Sequence, residues 1–121
     1  MGFKRVIRKA AKLVLASSPE KFVNVEVAQV SAGNVLKGKT VVITGGGRGL
    51  GLAMAEKFIS EGAKVVISGR KEATLKAACE KLGSCVTYVV ADVSEAERAG
   101  EFLDACEAKL GGRIDCLVSN A

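Results

Sequence analysis

Two rhythms of apolar residues alternate along the chain, and the changes of rhythm mark out its elements. Thr40–Thr44 (TVVIT), Lys64–Ser68 (KVVIS), Val86–Ala91 (VTYVVA) and Ile114–Val118 (IDCLV) are short, β-branched runs with little polar alternation. They read as strands, and the first, with no polar alternation, suits a strand covered on both faces. Between them lie stretches of helical period, roughly 50–61, 71–82 and 94–110. Leu75, Ala78, Cys79 and Leu82 share a stripe in the second stretch, and Ala99, Phe102, Leu103, Cys106 and Leu110 share one in the third. Gly62, Gly83 and Gly111 follow the three stretches and stop them. Ser94 is placed to cap the third helix, with Glu97 completing a capping box.

Two further segments stand ahead of this series. Residues 3–14 suit a helix with Phe3, Val6, Ile7, Ala10 and Val14 on one side and Lys4, Arg5, Arg8, Lys9 and Lys12 on the other. Residues 22–28 alternate, with Val23, Val25 and Val27 on one face, and read as a short strand. Ser31, Gly33 and Asn34 mark a loop into the strand-helix series. The expected organisation is therefore a helix-strand leader over residues 1–35 and a domain over residues 36–121. Strands alternating with helices at this spacing imply a parallel sheet with right-handed crossovers, a doubly wound α/β fold of about four core strands.

Charge changes how the leader is read. Residues 1–40 carry eight basic and two acidic side chains, whereas residues 41–121 carry ten and eleven. The net charge of +5 thus belongs to the leader, and the domain itself is nearly neutral. With one tyrosine and four phenylalanines, the chain lacks the basic, aromatic-studded face of a nucleic-acid binder. No apolar run approaches the roughly 20 residues of a membrane span, so a cytoplasmic protein is expected. The basic amphipathic helix leaves two readings: membrane-peripheral contact through residues 3–14, or packing on its own domain or a partner subunit of a homo-oligomer. Cys79, Cys85, Cys106 and Cys116 show no CxxC spacing, and there is no histidine, so no metal site is expected and the thiols are read as buried and reduced.

The chemistry concentrates in Thr44-Gly45-Gly46-Gly47-Arg48-Gly49-Leu50-Gly51, between the first strand and its helix. A dinucleotide pyrophosphate needs a tight turn, a backbone free of side chains, and a helix amino terminus presenting free N–H groups. The segment departs from GxGxxG, since the sixth position from Gly45 is Leu50, and follows TGxxxGxG through Thr44, Gly45, Gly49 and Gly51. A glycine-rich turn with no ligand is the alternative. The setting between an apolar strand and an amphipathic helix weighs against it.

From about Leu36 to Ala121 the chain resembles the short-chain dehydrogenases/reductases. The resemblance rests on that glycine segment, on Ala91-Asp92-Val93 after the third strand, and on Ser119-Asn120-Ala121 after the fourth. The last is similar to the family's N-N-A-G element, with serine at the first position. The resemblance implies a Rossmann-type fold and a nucleotide cofactor. It implies hydride exchange with a small-molecule carbonyl or alcohol substrate, and an Asp92 that contacts the adenine side of the cofactor. Cofactor-binding roles accordingly fall to Thr44, Gly45, Gly47, Arg48, Gly49, Leu50, Gly51, Arg70, Lys71, Asp92, Val93, Asn120 and Ala121. These motifs all sit at carboxyl ends of parallel strands, the edge where open α/β sheets bind ligands.

Charge also bears on the cofactor. NAD-binding folds of this type carry an acid near the end of the second strand that would repel a 2′-phosphate. Here the strand ends Ser68-Gly69-Arg70-Lys71, with no acid until Glu72. Arg70 could fork onto a phosphate, with Arg48 approaching from the glycine loop, so NADP(H) is expected over NAD(H). The resemblance also implies a serine and a Tyr-x-x-x-Lys pair as working residues. The single tyrosine, Tyr88, is followed four residues on by Asp92, so no catalytic residue is assigned. The expectation is the cofactor-binding portion of an oxidoreductase, inactive alone, with a standalone nucleotide-binding or structural module that completes its sheet with a partner chain as the rival.

Overall fold

The computed structural model describes Gly33 and residues 35–121. The helix expected over 3–14 and the strand over 22–28 lie outside the described residues. Four strands, β1 (Thr40–Thr44), β2 (Lys64–Gly69), β3 (Val86–Val90) and β4 (Cys116–Val118), alternate with helices α1 (Gly49–Ser60), α2 (Glu72–Leu82) and α3 (Ala99–Leu110). All pairings are parallel, in the order β3-β2-β1-β4. Thr40–Thr44 pair in register with Lys64–Ser68 on one side, and Val41–Ile43 with Cys116–Val118 on the other.

Alternate side chains of a strand point to opposite faces, and the central strands are apolar on both. Val41, Ile43, Val65 and Ile67 join Ala55, Leu75 and Ala78 in a core beneath α1 and α2. Val42 and Val66 meet Cys106 and Leu110 of α3 on the opposite face. That two-faced burial is what the uninterrupted β-branched runs require. The lysine beside Val65 has a separate use, since Lys64 Nζ donates to the Leu110 carbonyl at 3.0 Å and occupies an orphan acceptor at the end of α3. At the amino end of the domain, the Gly33 N–H donates to Glu61 Oε2 at 3.0 Å and the Leu36 N–H to the Glu61 carbonyl at 2.8 Å. The chain entering β1 is thereby tied to the end of α1.

The third helix departs from expectation. Instead of one helix from Ser94 there is a 3₁₀ turn at Ala96–Arg98 and then α3 from Ala99, whose N-cap, Arg98, makes no side-chain capping bond. The Ser94–Glu97 capping box does not form, since the helix begins only at Ala99 and Ser94 instead turns back on Asp92, its hydroxyl donating to Asp92 Oδ1 at 2.6 Å. Ala99 is exposed and Leu103 is 37% exposed, so the inward stripe reduces to Phe102, Cys106 and Leu110. The thiols also depart from expectation. All four are free, but only Cys106 is buried, while Cys85, in the turn before β3, and Cys116, on the edge strand β4, are exposed. Burial pushes the Cys106 thiol up to about 11, because an apolar surrounding penalises the thiolate.

Candidate functional site

Strand order reverses between β1 and β4, and the glycine loop leaves β1 at that point. Gly45 turns the chain with φ +67°, a left-handed conformation that costs glycine no Cβ clash. Arg48 then enters α1 in an extended conformation without a capping side chain, and the first turn of the helix carries no acid. The leading N–H groups of α1 therefore face outward without a local anion to satisfy them, and the helix dipole favours one there. Gly51, in the first turn, is buried against the loop. A Cβ on it would overlap the Gly45 carbonyl and stand 2.7 Å from Asn120 Nδ2. Helix and loop can approach this closely only because that side chain is missing.

Thr44 and Asn120 close the switch point from inside. The Thr44 hydroxyl accepts from the Asn120 N–H at 2.9 Å and the Ala121 N–H at 3.2 Å, and donates to the Val118 carbonyl at 3.3 Å. Asn120 Nδ2 donates to the carbonyls of Thr44 and Gly45, each at 3.2 Å. Both side chains are thus spent on joining the end of β1 to the chain after β4. Their role in this geometry is to hold the glycine turn in place.

Arg70 and Lys71 follow the tip of β2 and are exposed, with Lys71 in extended backbone as the N-cap of α2. After β3, Asp92 Oδ1 accepts from the Ser94 hydroxyl and, at 3.0 Å, from the Ser94 N–H. Those two bonds, with a smaller contribution from the Arg70 charge, hold the Asp92 carboxyl below the ordinary carboxylate range. Asp92 and Arg70 are therefore electrostatic neighbours, although they follow different strands.

The loops after all four strands open onto one cleft of about 1000 Å³. Gly45, Gly47, Arg48 and Gly49 form one part of its wall, Arg70 and Lys71 a second, and Asp92, Val93, Asn120 and Ala121 a third. Of the residues singled out in the sequence, Thr44, Leu50 and Gly51 do not line it; Leu50 is 70% exposed elsewhere and the other two are buried in the scaffold. Sequence reasoning missed Ser68, Thr74, Ser94 and Ser119 in the wall. It also passed over Gly46, whose added Cβ would lie 2.5 Å from Ile67 Cγ2. The parity of β2 could have flagged Ser68 as a hydroxyl on the face it shares with the buried Val66. Its Oγ is buried with no hydrogen-bond partner. Among the described residues no group of His, Cys, Asp or Glu is placed to hold a metal, and no helix is long and apolar enough to cross a membrane.

Comparison with known proteins agrees with this geometry. The sequence profile of the short chain dehydrogenase family matches residues 39–121. The oxidoreductase asL5 of Sarocladium schorii is 41% identical over 92 residues, 76% of this chain and 36% of that protein. The NADP-dependent (R)-specific alcohol dehydrogenase of Lentilactobacillus kefiri is 39% identical over 88 residues, 71% of this chain and 34% of that protein. In structure, a 3-ketoacyl-(acyl-carrier-protein) reductase from Brucella melitensis complexed with NADH superposes with a TM-score of 0.63 at 36% identity, covering 68% of this chain and 33% of that one. The chain thus spans about a third of the length of the relatives it matches. A profile match across the whole sheet, joined by relatives of 39% and 41% identity, leads to one assignment: the chain belongs to the short-chain dehydrogenase family.

Proposed function

We propose that the cleft binds the adenosine diphosphate half of NADP(H), preferred over NAD(H), and that the complete protein exchanges hydride with a small carbonyl or alcohol substrate. When bound, the nicotinamide would supply the hydride; the residues of the cleft bind and orient the other end. The uncapped amino terminus of α1 and the Gly45–Gly49 turn would receive the pyrophosphate. Arg70, with Arg48 and Lys71, would pair with a 2′-phosphate. Asp92 and Val93 would border the adenine. The fit of such a ligand is supported by two features: a cradle that Cβ atoms at Gly45 or Gly47 would narrow, and the buried, partnerless Ser68 hydroxyl in the wall.

The observation that carries the NADP(H) preference is that Arg48, Arg70 and Lys71 line the same cleft, with Asp92 the one acid beside them among its lining residues. The names of relatives do not decide it, since one is NADP-dependent and another was solved with NADH. Titration of the chain with 2′,5′-ADP and with 5′-ADP tests the preference. A charge-assisted bond contributes on the order of 1.5–3 kcal/mol, so the 2′-phosphate should tighten binding about ten-fold or more, and Arg70→Ala should abolish the difference. Equal affinities for the two ligands would end the NADP(H) reading.

The division at about residue 36, a cytoplasmic location and the absence of turnover from these 121 residues belong to the same proposal. Tyr88 is the single tyrosine and is hydrogen-bonded to Glu72 on the α2 side of the sheet, so it is assigned no catalytic role. A second reading, in which the domain completes its sheet with another chain, is favoured by the edge position of β4, where Leu117 is 51% exposed.

A further inference from the structure

We infer that Tyr88 is a positioning residue for cofactor selection: its hydroxyl holds the Glu72 carboxylate outside the cleft, so that a 2′-phosphate meets Arg70 and Lys71 without an opposing acid. This deepens the NADP(H) reading proposed above and rests on it.

Glu72 is the first acid after β2, adjacent to Lys71, and the first residue of α2. The N-cap of that helix makes no side-chain bond, so its leading N–H groups attract a carboxylate toward the helix mouth. A carboxylate free to settle there would face the 2′ position of the adenosine ribose, where an acid repels phosphate. Arg48, Arg70 and Lys71 line the cleft against Asp92; an inward Glu72 would change the balance from three cations against one acid to three against two.

The structure shows Glu72 held elsewhere. Tyr88 projects from β3 on the α2 side, paired in register with Ile67 and partly buried against the core. Its ring is therefore a fixed point, and its Oη donates to Glu72 Oε1 at 3.0 Å. Lys71 and Thr74, on either side of Glu72 in the chain, line the cleft, while Glu72 does not. The same bond leaves its mark on the tyrosine, whose ionisation is pushed above the ordinary phenol value chiefly by the Glu72 hydrogen bond.

The test combines Tyr88→Phe, Glu72→Gln and the double variant, each titrated with 2′,5′-ADP and 5′-ADP. One exposed charge is worth up to about 1 kcal/mol, so Tyr88→Phe should weaken 2′,5′-ADP about two- to five-fold and leave 5′-ADP unchanged. Glu72→Gln/Tyr88→Phe should restore the original affinity, which a purely structural role for the ring would not. Because the chain has one tyrosine, its ultraviolet pH titration reads Tyr88 alone, and Glu72→Gln should lower the midpoint. Discrimination undiminished by Tyr88→Phe, a double variant as weak as Tyr88→Phe, or an unmoved tyrosine midpoint would each overturn this inference while leaving the NADP(H) reading intact. Equal binding of the two nucleotides by the unsubstituted chain would remove both.

Discussion

Thr44 illustrates how a single hydroxyl can decide the geometry of a site it does not face. It is 5% exposed and carries three hydrogen bonds across the switch point. Replacing it with valine keeps the β-branched shape but leaves the N–H groups of Asn120 and Ala121 without their acceptor. These donors are only part-buried, so their loss falls at the low end of the roughly 1–3 kcal/mol of an unsatisfied buried donor, and Thr44→Val should lower the denaturant midpoint correspondingly at unchanged slope. A midpoint within error of the original would mean that water replaces the hydroxyl at no cost. Thr44, Gly45 and Gly51 were legible as members of a glycine motif. Their division of labour was not, because a motif records which residues recur together and says nothing of which one touches ligand. Gly46 was illegible for a related reason: its constraint comes from Ile67, on a different strand.

At the scale of elements, the register of β4 is set at its amino end. The Thr40 N–H donates to Asp115 Oδ2 at 3.0 Å, the Asp115 N–H returns to the Thr40 hydroxyl at 3.0 Å, and that hydroxyl donates to the Arg113 carbonyl at 2.6 Å. The Asp115 carboxyl is held below its ordinary value, first by the Thr40 backbone N–H, then by the Thr40 hydroxyl and the charges of Arg113 and Lys39. Because the folded state binds this proton less readily than the unfolded one, the stabilisation is complete above about pH 4 and is lost as pH falls through the lower, folded value. Asp115→Asn should therefore lower stability at neutral pH, and the gap from the original chain should close as thermal melts are taken toward about pH 3. A gap independent of pH would show that the carboxylate charge contributes nothing. The start of α3 also differs from the sequence expectation for a reason at this scale. Asp92 Oδ1 accepts from both the N–H and the hydroxyl of Ser94, and that local turn stands where the first turn of the helix was expected.

For the molecule as a whole, the reversal of strand order between β1 and β4 creates the cleft, and among the described residues β4 is the last strand on its side of the sheet. Leu117 is 51% exposed there, beside backbone groups on the side away from β1. Apolar edge strands template pairing with other chains. The chain should therefore associate as its concentration rises, and Leu117→Lys should suppress this in sedimentation or light scattering. Association unaffected by that substitution would exclude β4 as the contact and with it the reading of a domain that completes its sheet through a partner.

What the sequence determined by itself was everything that depends on local periodicity: four short apolar strands, the helices between them, a parallel sheet with its central strands buried on both faces, and a glycine turn opening a helix. Those elements arise from short-range patterns because burial on one face or two imposes a period that residues must obey. Tertiary structure alone decided which side chains meet. It brought Asp92 beside Arg70, set the Thr44 hydroxyl against Asn120, turned Leu50 and Leu103 outward, and tied Glu72 to Tyr88. These contacts join positions on different strands and loops, and their partners are fixed by sheet order and register, which no local pattern encodes.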